Sequence, residues 1–133
     1  MALLLGACAQ QPPPAACPAP LEPAVEVDLY FGLAKKKGEV SPAEWAAFLD
    51  REVTPLFPDG LSVVDIYGQY RDAPDHISHE RSKLLVVIVF DPAGLEAKVQ
   101  AIVDAYKTRF DQKSVLQVEK PVCTSLHDKP VHR

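Results

Sequence analysis

From Val25 to Ala34 apolar and polar positions alternate, with Val25, Val27, Leu29, Phe31 and Leu33 separated by Glu26, Asp28, Tyr30 and Gly32. A period of two puts each set on its own face of an extended chain, so this stretch predicts a half-buried strand. The pattern changes after the polar turn Lys35 to Glu39. Ser41-Pro42-Ala43-Glu44 supplies a serine N-cap, a proline at the first helical position and a glutamate at the third, the elements of a capping box. Trp45, Phe48, Leu49 and Val53 follow at helical spacing, and Pro55 and Pro58 close the segment. Trp45 lies on the apolar stripe and is expected in the core. Leu61 to Arg71 reads as a second strand and Ser82 to Phe90 as a third, with Arg71 to Glu80 between them as a long polar hairpin loop. Leu95, Val99, Ile102, Val103, Tyr106 and Phe110 make one stripe of a second helix, for which Asp91-Pro92 offers an N-cap and first position. Val115 to Val122 predicts the last strand.

This β-α-β-β-α-β order is the split unit of the ferredoxin-like sandwich, an α+β fold with two helices on one face of a four-stranded antiparallel sheet. The first and third strands are central in that topology. Leu84 to Phe90 is apolar without a break, hence apolar on both faces, although helices cover only one. A second subunit docked sheet to sheet, as in dimeric α+β barrels, would shield the other face, so the pattern favours a homodimer.

The start of the chain carries a different signal. Leu5-Gly6-Ala7-Cys8 has the form of a bacterial lipobox, with an apolar residue three before the cysteine and two small residues between. That resemblance implies lipidation at Cys8. The preceding segment lacks the basic region and full apolar stretch of a signal peptide, as expected if translation begins further upstream. Residues 9–23 are rich in proline and nearly uncharged, an extended spacer between a membrane and a folded domain spanning residues 24–126, with a polar tail at 127–133. Ala9 stands where an aspartate would alter sorting, so the resemblance implies an outer-membrane anchor facing the periplasm.

A domain of about 110 residues has room for one core. Fourteen basic and eighteen acidic residues leave a net charge of −4, with no electrostatic footprint for nucleic acid. No stretch approaches the roughly 20 apolar residues of a spanning helix, so the lipid is the expected membrane attachment. Antiparallel pairing of the first and last strands brings Cys17 and Cys123 to one end of the sheet. The residues from Cys17 to Val25 reach about 25 Å when extended, so a disulfide between the two cysteines is within range. No Cys-x-x-Cys spacing is present.

Candidate chemistry centres on Tyr67, Gln69 and Arg71 at alternate positions of the second strand, with Glu80, Arg81 and Lys83 at the start of the third. If Val64, Ile66 and Tyr70 face the helices, then Asp65, Tyr67, Gln69 and Arg71 face the open side near Asp28 and Tyr30. Such a polar edge around an apolar floor suits a small organic anion or an aromatic ligand, with the planar fork of Arg71 on a carboxylate. The candidate ligand-binding residues are therefore Tyr30, Tyr67, Gln69, Arg71, Glu80 and Lys83. One residue of slip in the third strand would exchange Glu80 and Ser82 for Arg81 and Lys83 on the open face. His76-Ile77-Ser78-His79-Glu80 matches neither order of the helical zinc motifs and lies in the expected loop. There is no nucleophile elbow, phosphate loop or dinucleotide fingerprint, so no cofactor is expected.

Tyr30-Phe31-Gly32, Trp45-x-x-Phe48, Thr54-Pro55-x-Phe57-Pro58-x-Gly60-Leu61, Gly68-Gln69-Tyr70-Arg71 and Glu80-Arg81-Ser82-Lys83 together resemble the bacterial family catalogued as domain of unknown function 3574. The resemblance spans about Val25 to Leu126. It implies small secreted or lipid-anchored proteins and brings no catalytic residue. Two readings follow: a non-catalytic envelope lipoprotein that binds a small ligand or an envelope protein on the open face, or a cofactor-independent enzyme of the dimeric α+β barrel type using Tyr67, Arg71 and Glu80. The enzyme requires a closed, mainly apolar pocket into which Glu80 or Tyr67 points. The binding module requires a filled core and an open face.

Overall fold

The computed structural model describes residues 16–128. Strand β1 (Glu22–Gly32) leads to helix α1 (Pro42–Phe48), then β2 (Ser62–Ala73), β3 (His76–Val89), helix α2 (Leu95–Phe110) and β4 (Leu116–Thr124). All pairings are antiparallel and the sheet order is β2-β3-β1-β4, the ferredoxin-like arrangement with β1 and β3 central. Cys8, the first part of the proline-rich spacer and the end of the polar tail lie outside the described residues.

Local sequence explains both helices. The Ser41 hydroxyl accepts from the Glu44 N–H while the Glu44 carboxylate accepts from the Ser41 N–H, so the capping box closes as the sequence predicts. That backbone hydrogen bond, with the Lys35 ammonium at 3.0 Å, holds the Glu44 carboxyl below its ordinary range. The helix then widens into a π-turn over Leu49–Val53, closed by Thr54 N–H donating to the Leu49 carbonyl, and Pro55 prevents continuation. Asp91 does not cap α2 directly. Its carboxylate accepts from Ala93 N–H in the preceding turn, and Gly94 at φ 69° is the N-cap, because the turn there requires a left-handed residue.

Val27, Leu29 and Phe31 of β1 and Leu85, Val87 and Val89 of β3 point to the helices, which return Trp45, Phe48, Val99, Ile102, Tyr106 and Phe110. Phe31 is fully buried, edge-on to Trp45, Phe48 and Tyr106 at centroid distances of 5.4, 5.7 and 4.6 Å. Tyr106 is also enclosed, and its hydroxyl donates to the Gly32 carbonyl at 2.7 Å. Burial, and after it the Glu80 and Glu44 carboxylates, keep this phenol protonated well above its ordinary value of 10.0.

The sequence reading is corrected between β2 and β3. Arg71 to Glu80 is not a loop: the strands run on as a two-stranded arm, with Tyr67↔Arg81, Gln69↔His79 and Arg71↔Ile77 opposed, and turn at Pro74-Asp75. Apolar periodicity fades there because no helix covers the arm. Its strands are instead tied by polar contacts. Asp72 accepts from Ser78 and pairs with His76, which lower its pKa in that order, while Lys83 pairs with Asp65.

Cys17 and Cys123 form a disulfide with Cα atoms 5.5 Å apart, closing a loop of 106 residues and fixing the segment before β1 to the end of β4. On the chain-entropy model a loop of that size contributes up to about 4.7 kcal/mol. Replacing both cysteines by serine should lower unfolding stability by about 2–5 kcal/mol in urea titrations of the oxidised protein, and reduction should abolish the difference between the two forms.

Tyr106→Phe leaves the Gly32 carbonyl without its donor and should cost about 1–3 kcal/mol at neutral pH. Because the folded pKa is raised, Tyr106 contributes its full stability below pH 10.0 and loses it as pH rises above that value. The stability gap between wild type and Tyr106→Phe should therefore shrink above pH 10.0 in pH-jump denaturant titrations.

Candidate functional site

Residues opposed across neighbouring strands share a face, so the registers assign each side chain. The face without helices carries Glu26, Asp28, Tyr30 and Gly32 of β1, Glu80, Ser82, Leu84, Val86 and Ile88 of β3, Val64, Ile66 and Gly68 of β2, and Leu116, Val118 and Lys120 of β4. Tyr30 and Glu80 are thus brought to one face. Tyr67, Gln69, Arg71 and Lys83 are not: they share the parity of Leu85, the helix-facing set, and the facing assumed for Val64, Ile66 and Tyr70 is reversed. The physical reason is coverage. Val63 of β2 packs against the core, whereas Val64 is 48 % exposed, so burial selects the odd residues of β2 for the helix side.

The alternative slip in β3 does not occur either, since Leu85, Val87 and Val89 are the buried set and Glu80 and Ser82 keep the open parity. Tyr67, at 82 % exposure, projects from the arm, and Arg71 donates to the Pro74 carbonyl of its own turn. His76 and His79 stand on opposite faces of β3, so they cannot converge on one metal ion. No group of three metal-ligating side chains occurs among the described residues.

The open face is apolar along β3, while β1 sets Asp28 between Val86 and Val118. Leu84, Val86 and Ile88 run down β3, flanked by Tyr30 on β1, Val64 and Ile66 on β2 and Leu116 and Val118 on β4. Leu116 is 60 % exposed. At one end lies a charged group that periodicity alone did not single out: Lys120 bridges Glu26 at 2.8 Å and Asp28 at 3.0 Å. Both carboxylates hold the ammonium protonated beyond its ordinary range, Glu26 through the larger effect. The Asp28 side chain is only 7 % exposed, and its Oδ1 has no hydrogen-bond partner among the described residues. A charge at an alternate position of a central strand, between apolar neighbours, was the available sequence signal.

Glu80 fills a clearing made by glycines. It is opposite Gly68, and a Cβ on Gly32 would lie 2.3 Å from its Oε1. The carboxylate reaches across Gly32 and accepts from the Ala34 N–H at 3.3 Å. This ties the root of the arm to the end of β1, assisted by Arg81 on Glu39 at 3.2 Å.

Two shallow depressions among the described residues lie mainly beside the helices. One is bounded by Leu95, Glu96, Gln100, Gln117 and Glu119, the other by Phe57, Pro58, Phe90 and Lys98. Neither is lined by Asp28, Tyr30, Tyr67, Arg71 or Glu80.

Residues 26–126 match the family model described as Protein of unknown function (DUF3574). The chain belongs to this family. No curated protein matches it in sequence. Among solved structures it is similar to a phage SAM lyase in complex with S-methyl-5'-thioadenosine, with TM-score 0.55 and 16 % identity over 77 % of this chain and 90 % of that one. A phage SAM lyase in its apo state gives TM-score 0.54 and 15 % identity over 81 % and 94 % of the two chains. A nitrogen regulatory PII-like protein from Thiomonas intermedia K12 gives TM-score 0.46 and 12 % identity over 81 % and 99 %. At these identities the DUF3574 chain shares a fold with the lyase.

Gly32→Ala should displace the Glu80 carboxylate and destabilise the protein by about 1–3 kcal/mol. In a Glu80→Ala background the same substitution should cost much less. Equal costs in the two backgrounds, measured by urea unfolding, would show that the close approach does not matter.

Proposed function

We propose that this DUF3574 protein is a non-catalytic docking module of the bacterial cell envelope, held by a lipid on Cys8 at the outer membrane facing the periplasm. Its working surface is the open face of the sheet. The observation that carries this reading is the apolar run of Leu84, Val86 and Ile88 down the central strand β3, bordered by Tyr30, Val64 and Ile66, on a face that no described helix covers. Monomers rarely keep such a patch large and uncovered. Small ligands favour concave sites, and neither depression described above is lined by Tyr30, Leu84 or Val86, so a protein surface fits this face better than a small molecule.

The enzyme reading draws less support. It asks for an enclosed pocket receiving Tyr67 or Glu80, whereas Tyr67 stands out from the arm and the Glu80 carboxylate is engaged by Ala34 N–H. The helix side is filled by interlocking aromatic rings. The membrane part of the proposal rests on the lipobox pattern, and among the described residues no helix is long and apolar enough to cross a membrane.

Two measurements in a bacterial host test the parts separately. Labelled palmitate should be incorporated by the wild type and not by Cys8→Ser, which should leave the membrane fraction; equal labelling would end the anchor reading. A photo-crosslinking side chain replacing Val86 should give a discrete product, while the same group replacing Gln100 on the outer side of α2 should give none. Absence of product at Val86 would overturn the docking reading.

A further inference from the structure

We infer that the outer edge of β2 pairs antiparallel with the β2 edge of a second copy, joining two four-stranded sheets into one. The edge is distinct from the open face, so its test does not depend on what covers that face. β2 and β4 are the two edges of the sheet, and their sequences treat them differently. An edge strand offers N–H and C=O groups to any other extended chain, and proteins usually blunt it with proline, lysine or a covering segment. β4 carries Lys120 and Pro121, and the disulfide from Cys123 holds the segment around Cys17 at its end. β2, twelve residues long, contains neither proline nor lysine and pairs with β3 alone among the described residues.

One hydrogen bond decides which residues of β2 present their backbone outward. Leu33 N–H donates to the Arg81 carbonyl at 3.0 Å, so Arg81 and every second residue of β3 turn their N–H and C=O groups towards β1. The even residues of β3 therefore bond β2, and through the register Gly68↔Glu80 and Tyr70↔Ser78 so do the even residues of β2. Asp65, Tyr67, Gln69 and Arg71 are left with backbone groups directed away from the sheet. The same alternation puts Pro121 of β4 among that strand's outward residues, where its missing N–H costs no ladder bond.

The occupant follows from the order of residues along this edge. In Asp65-Ile66-Tyr67-Gly68-Gln69-Tyr70-Arg71 an acid and a base stand three places before and after Gly68, and an isoleucine and a tyrosine two places before and after it. A two-fold axis through Gly68 sets Asp65 opposite Arg71 of the other copy, Ile66 opposite Tyr70 and Tyr67 opposite Gln69, each pair occurring twice. The first and last of these join outward-directed residues, as a new ladder requires. Opposite charges and aromatic with β-branched side chains are pairs that stabilise an antiparallel ladder. Shifting the axis by one residue, to Tyr67 or Gln69, sets Arg71 opposite Val63 or Tyr67 and loses the charge match. The Asp65 side chain is 71 % exposed beside Lys83, and Arg71, with five N–H donors, gives one bond to the Pro74 carbonyl, so both can take a further partner. Tyr67 and Tyr70, 82 % and 56 % exposed in one chain, come to lie against the second copy. Past Arg71 the bulge before Ala73 ends the match. An edge that complements itself about a two-fold axis defines an isologous interface.

The test uses the full chain carrying Cys8→Ser, with its disulfide intact. Sedimentation equilibrium across a wide range of concentration should reach the mass of two chains. Gln69→Pro removes an outward N–H and no bond to β3, so it should weaken association at least about tenfold while circular dichroism and melting stay those of the parent. Arg71→Asp opposes two acids twice and should weaken it as much. Gly68→Cys should oxidise to a covalent dimer, because the two Cα atoms meet at the axis about 4.5 Å apart, within disulfide range. Its added Cβ lies 3.9 Å from the Glu80 carbonyl oxygen, an ordinary contact. Val64→Cys, on the same face but about 27 Å from its mate, should not crosslink. Arg71→Asp and the cysteine pair decide the question even if Gln69→Pro disturbs folding. A single-chain mass at every concentration would overturn the inference. So would association unchanged by Arg71→Asp, or crosslinking of Val64→Cys as ready as that of Gly68→Cys.

Discussion

The contact of Phe31 with Trp45, Phe48 and Tyr106 joins the central strand to both helices, and the rest of the molecule is arranged around it. Phe31 comes from β1, Trp45 and Phe48 from α1, and Tyr106 from α2, so three separate segments meet in one set of edge-to-face rings. Such pairs add about 0.5–1.5 kcal/mol each beyond the area they bury. A short first helix becomes sufficient because it delivers two large aromatics within one turn. The Tyr106 hydroxyl, which would be costly to bury alone, is satisfied by the Gly32 carbonyl one residue beyond Phe31.

Concentrating the cover on one side leaves the other side with a problem that two helices cannot solve. β3 pairs with β2 on one edge and β1 on the other, so its alternate residues Leu84, Val86 and Ile88 meet no described element from above. A strand whose open face is solvated normally alternates apolar with polar residues. On β3 the polar positions Ser82 and Glu80 are confined to one end, whereas β1 does alternate and sets Asp28 between Val86 and Val118, paired with Lys120.

The sequence made the body legible and the arm illegible for one reason. Periodicity reports which face is buried, and it was strong wherever a helix lies over the strand: Val27, Leu29 and Phe31, or Val99, Ile102 and Tyr106. In the arm neither face is buried by this chain, so Asp72, His76 and Ser78 read as loop although they pair across a ribbon. The facing of β2 was misread for a related reason. Tyr67 and Arg71 look like site residues by type, yet parity is set by Val63, a single small contact with the core that composition does not advertise. Asp28 went unselected because its partner Lys120 lies in β4, and only the β1–β4 register unites them.

Several short motifs through which the sequence resembles its family meet at one place in the fold, and their geometry argues for a mechanical role. Gly32 follows the two aromatics of Tyr30-Phe31-Gly32, and its missing side chain is the space that the Glu80 carboxylate occupies. Gly68 lies opposite Glu80 on the other neighbouring strand, so β1 and β2 both give way around this one acid. Arg81 and Lys83, next along β3, hold Glu39 and Asp65. A carboxylate poised for acid–base chemistry would face a cavity and a reacting group, whereas Glu80 spans from the arm to the backbone of Ala34 just past β1. Tyr106 buttresses the same residue pair from the helix side through the Gly32 carbonyl. The motif residues thus fix the angle between the arm and the open face, the quantity on which a docking surface built from both would depend.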